Sequence, residues 1–89
     1  MEKLRVDVKA CDIKRGEVGN TQKCPIAHAI HRVRRRMTIE VYENSVNLYG
    51  AKSVKRGALT KRAAKFVNRF DNDQIVKPFS FVLKLKEVV

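Results

Sequence analysis

Cys24, His28, His31 and Arg35 follow one another at intervals of four, three and four residues. That spacing brings side chains to one face of an α-helix. A cysteine and two histidines so placed are zinc-ligand types, but a structural site needs four ligands and a catalytic one three plus water. Cys11 is the one further cysteine, and Arg35 is a poor neighbour for a metal ion. Cys24, His28 and His31 are therefore weak metal candidates. The stronger reading makes Cys24 a small apolar residue at a helix start and the histidines part of a polar face. A thiol at a helix N-terminus is acidified and could serve as a nucleophile. No third residue to orient a base and no oxyanion site accompanies it.

A second set of residues points to charge chemistry. Lys61, Lys65 and Arg69 fall at i, i+4 and i+8, with Arg62 alongside. Like charges at i, i+4 cost a helix a few tenths of a kcal/mol, so the row makes most sense with an anion lying along it. Its bland alternative is an ordinary solvated face. Arg32, Arg35 and Arg36 form a further basic group, at a helix C-terminus where the helix dipole favours cations. Phosphate neutralisation is the role expected of all six.

The whole chain has the same bias. It has 89 residues, with 20 Lys+Arg against 9 Asp+Glu and a formal net charge of +11. Such a field draws polyanions. The length fits one domain, residues 1–89, and excludes two-domain enzymes and large cofactor folds. With 44% hydrophobic and 33% charged residues the chain is expected to fold. No apolar run is long enough to span a bilayer, and the N-terminus shows no apolar signal core, so a cytoplasmic protein is expected. Two cysteines are too few for a disulfide framework. The acids are scattered, with no pair set for acid/base work. Gly16-Glu17-Val18-Gly19 lacks the Lys-Ser/Thr of a phosphate-cradling loop. No enzyme and no cofactor are expected.

Periodicity then supplies the elements that position these residues. Leu4, Val6, Val8 and Ala10 alternate with polar residues, which predicts a strand over 3–10. Residues 11–23 read as a loop, with a helical turn capped by Asp12. A helix starts at Cys24-Pro25, proline being suited to the first helical position. Ile26, Ile30, Val33 and Met37 give it an apolar stripe, ending near Arg35 or Arg36. Strands over 37–42 and 46–49 read as a hairpin, and 51–57 as a basic connection. A second helix over 59–70 carries Leu59, Ala63, Phe66 and Phe70 on one stripe. Phe79, Phe81, Leu83 and Leu85 mark a last strand.

This β-α-β-β-α-β order predicts an α+β domain: an antiparallel sheet with two helices on one face, the ferredoxin-like split βαβ arrangement first among the candidates. The open sheet face would carry Lys3, Arg5, Lys9, Thr38, Glu40, Tyr42, Asn47, Tyr49, Lys84 and Lys86. Cations interleaved with tyrosines suit single-stranded nucleic acid, although the aromatic signature of the RNA-recognition motif is absent.

Asp12-Ile13 with Gly16, Cys24-Pro25-Ile26-Ala27 with Ala29-Ile30, Arg69-Phe70-Asp71 and Pro78-Phe79-Ser80-Phe81 resemble a set of small uncharacterised bacteriophage and prophage proteins. That resemblance implies the cytoplasm of an infected bacterium and carries over no functional residues. The expectation is a small basic accessory protein that engages DNA or RNA through charge, with little sequence specificity. Its rivals are a modulator of an acidic host protein and a binder of small anionic nucleotides.

Overall fold

The computed structural model describes residues 2–88. In chain order the elements are β1 (Glu2–Val8), α1 (Ala10–Arg15), α2 (Pro25–Val33), β2 (Thr38–Val41), β3 (Ser45–Tyr49), β4 (Val54–Ala58), α3 (Lys61–Asp71) and β5 (Phe79–Glu87). The strands form one sheet in the order β1-β5-β4-β3-β2, every neighbouring pair antiparallel. The sheet curls into a half-barrel.

The alternation in the two longest strands has a direct cause. Leu4, Val6 and Val8 of β1 and Phe81, Leu83 and Leu85 of β5 point inward and are buried. They are in register, with Leu4 opposite Leu83 and Val6 opposite Phe81. Ile26, Ala27, Ala29 and Ile30 of α2 and Ala63, Phe66 and Val67 of α3 join the same core cluster. The helices therefore cover one face of the sheet. Ile26 and Ile30 are fully buried, each contributing about 1.5–3 kcal/mol relative to exposure.

Pro25 and Thr60 start the two longer helices as their types require. Pro25 occupies the first position of α2. The Thr60 hydroxyl accepts a hydrogen bond from the backbone N–H of Ala63 at 3.2 Å, an interaction typically worth about 1 kcal/mol. Gly16 packs so closely on Pro25 and Phe70 that a Cβ there would lie 2.6 Å and 2.9 Å from their side chains.

Four features differ from the sequence reading. Residues 54–58, read as connection, form β4. Its Lys55 and Gly57 face inward where apolar residues would be expected, so it lacks the usual alternation. Gly57 is required there: a Cβ would stand 2.6 Å from the Lys84 carbonyl oxygen on β5. The split βαβ arrangement, which would place the first strand between the third and the last, is not formed either. Instead β5 lies between β1 and β4, leaving β1 at the edge. β1 ends at Val8, and Ala10, expected in the strand, starts a helix, α1, that runs to Arg15 in place of a turn capped by Asp12. Asp12 is its third residue, and its carboxylate accepts from the Lys9 backbone N–H at 2.8 Å. Finally, α2 ends at Val33, with Arg34 as its C-cap and Arg35 and Arg36 in the turn beyond.

Candidate functional site

The cations divide by what faces them. Arg32 projects from α2 towards α1. Its guanidinium donates to both oxygens of Asp12, at 2.6 Å and 2.9 Å, and to the Asp7 carbonyl at 2.8 Å. Asp12 is 3% exposed, so this is a largely buried two-pronged ion pair joining the helices to the end of β1. The Asp12 bond raises the Arg32 pKa further. Arg34 likewise binds Glu2 at 2.7 Å, and Lys55 of β4 approaches the other oxygen at 2.7 Å. Those two hydrogen bonds, Lys55 foremost, hold the Glu2 carboxyl below the usual carboxylate range. Arg32, expected at a phosphate, is thus engaged within the fold.

On α3, Lys61, Arg62, Lys65 and Arg69 are all exposed, and none is in an ion pair among the described residues. Lys61 and Arg62 stand in the first turn, where the helix dipole disfavours cations, and Asp71 closes the last turn, where it disfavours anions. Arg69 in the last turn complements the dipole, so the charge order opposes helix stability at the N-terminal end.

A groove of about 400 Å³ runs between α3 and the segment leading into β5. Arg62, Lys65, Arg69 and Lys77 border it, and among the described residues no carboxylate lines it. Phe66, Val76, Pro78 and Phe79 give it an apolar wall. The Arg62 guanidinium carbon lies 5.3 Å from the centre of the Phe79 ring, and Phe79 packs on Phe66 at 4.8 Å. Ile75, at the rim, is 90% exposed. Arg62 and Lys77 carry more of this groove than their sequence context indicated. The available signal was Lys77-Pro78-Phe79, a cation beside rigid and aromatic residues at a strand start.

The two basic groups lie at different ends of the sheet. Arg34 holds Glu2, opposite Leu85, and Arg35 and Arg36 follow it in the same turn. Arg62 covers Phe79, which pairs with Val8. The length of β1, about 20 Å, separates those ends. The open sheet face keeps Lys3, Lys84 and Lys86 exposed, but its tyrosines are tied down. The Tyr42 hydroxyl donates to Glu40 at 2.6 Å, and Tyr49 accepts from Asn47 at 3.3 Å. Lys9 lies beyond β1 as the N-cap of α1.

Cys24, His28 and His31 do not converge. Cys24 is not on the solvent face of α2, as helical spacing suggested. It precedes the helix, and its Sγ turns inward to accept from the Ala27 N–H at 3.5 Å. Burial pushes its thiol pKa up, against the acidification expected at a helix N-terminus. His31 is exposed, and His28 is half-buried with Nε2 enclosed and unpartnered. Among the described residues no three His, Cys, Asp or Glu side chains are grouped as metal ligands. Both cysteines are free, and no described helix is long and apolar enough to cross a membrane.

Site and fold together define a small α+β domain with a cationic groove. Comparison with protein-family models, curated proteins and solved structures gave no match to the chain.

Proposed function

We propose that this protein binds nucleic acid by charge, with little base specificity, through the exposed face of α3. One observation carries the reading: Lys61, Arg62, Lys65 and Arg69 line up on a helix without a carboxylate partner among the described residues. The arrangement costs the isolated domain stability through mutual repulsion and, at Lys61 and Arg62, through cations set against the helix dipole. A phosphate backbone along α3 reverses the sign of both effects. Lys77 extends the same surface, while Arg35 and Arg36 form a subsidiary basic pair at the other end of the sheet. The motif resemblance supports a phage-encoded accessory protein acting in the host cytoplasm.

Titration of protein stripped of co-purifying nucleic acid against labelled DNA and RNA, at two salt concentrations, tests this reading. Micromolar or tighter binding that weakens steeply with salt is expected, since each phosphate contact releases counterions. Absence of binding at low salt overturns it. A salt-resistant, nuclease-resistant complex with an acidic host protein would establish the rival reading.

A further inference from the structure

We infer that the groove beside α3 receives an unpaired base, so that the protein prefers single strands to duplexes. This rests on the nucleic-acid reading above and adds the form of the ligand. The groove combines two kinds of surface that a duplex cannot satisfy together. Its border is cationic and free of carboxylates; its wall is Phe66, Val76, Pro78 and Phe79. A duplex presents phosphates outward but keeps its bases stacked inside, so the apolar wall would face water. A single strand offers phosphates to Lys65, Arg69 and Lys77 and a base to the apolar wall. Stacking and apolar contact with a base accept any sequence, because every base has a π-face.

Three details favour a base over a simple anion. The groove volume of about 400 Å³ lies within the range of small-ligand clefts, far beyond the needs of one phosphate oxygen. Ile75 projects at its rim with 90% exposure, leaving an apolar side chain uncovered among four cations. Arg62, seated over Phe79, also presents a guanidinium plane on which a base can stack.

The test compares four labelled ligands of matched length and charge where applicable: an oligothymidylate, its duplex, an abasic oligonucleotide with the same phosphates, and thymidine monophosphate. The oligothymidylate is expected to bind about tenfold more tightly than the abasic strand and more tightly than the duplex. Ile75→Ser, at a position the fold does not bury, should weaken oligothymidylate binding a few-fold and leave abasic binding unchanged. Substituting Lys61, Lys65 and Arg69 by Gln should weaken both strands by the same factor. Equal affinity for oligothymidylate, duplex and abasic strand overturns the inference while leaving charge-driven binding in place. Monophosphate bound as tightly as the oligonucleotide also overturns it, in favour of a nucleotide pocket. Failure of every polyanion to bind overturns the parent reading as well.

Discussion

Arg32 and Lys65 are cations on amphipathic helices of one small domain, yet they are placed in opposite ways. Arg32 reaches inward to a carboxylate that is almost wholly buried. Lys65 stands in solvent among three other cations on α3, with no acid in the groove it borders. Arg34 and Lys55 resemble Arg32 in kind, closing on Glu2 from α2 and β4. Net charge alone does not distinguish these groups. What separates them is whether the fold supplies a partner, because a paired cation stabilises the domain and an unpaired one is available to a ligand.

The sharpest way to break this contrast is Arg32→Ala. It would leave the buried Asp12 carboxylate without its cation and with the Lys9 N–H as its remaining backbone donor; breaking a buried pair typically costs 3–5 kcal/mol. Since the Arg32 side chain is 33% exposed, the lower end, about 3 kcal/mol, is expected by denaturant unfolding. A loss below about 1 kcal/mol would mean that the ion pair is not a structural clamp. Arg32→Lys should restore only part of the loss, because an ammonium lacks the two-pronged geometry.

Glu2→Gln comes next, with an expected loss of about 1 kcal/mol for a partly exposed pair. Its signature is in the pH dependence. The Glu2 carboxyl is held below its ordinary value, so its contribution is full above the unfolded value near 4.5. It disappears as pH falls through the lower folded value. Midpoint against pH should therefore fall less steeply in the acid range for Glu2→Gln than for the native chain. Parallel curves would remove Glu2 from the account.

The smallest effect on stability belongs to the face that matters most for binding. Lys61→Gln, Lys65→Gln and Arg69→Gln together should leave unfolding unchanged or raise stability by a few tenths of a kcal/mol, as like-charge repulsion is relieved. A loss above about 1 kcal/mol would show that these cations do serve the fold.

Much of this architecture can be read from local pattern. β1 and β5 are visible because each has one wet and one buried face, and α2 and α3 because their apolar stripes recur at helical spacing. β4 is not visible, because its inward positions are Lys55, which reaches Glu2, and Gly57, which admits the backbone of β5. The edge position of β1 is equally invisible, since local pattern does not say which side of β5 it pairs. The row on α3 follows from spacing alone. The role of Arg32 does not, since its partner lies twenty residues away on a short helix. The helical wheel likewise misplaces Cys24, which as an N-cap obeys the geometry of the cap rather than of the helix. The groove needed the fold, which lays Lys77, Pro78 and Phe79 beside α3.

The most direct test of the central claim is the salt dependence of single-strand binding, measured for the native chain, the Lys61/Lys65/Arg69 triple Gln variant and Arg35→Gln with Arg36→Gln. Each phosphate contact on a single strand contributes roughly 0.7 to the slope of log affinity against log salt. The triple variant should therefore lose roughly 2 from that slope, and the Arg35/Arg36 variant distinctly less. An unchanged slope in the triple variant would contradict the assignment of α3 as the binding face.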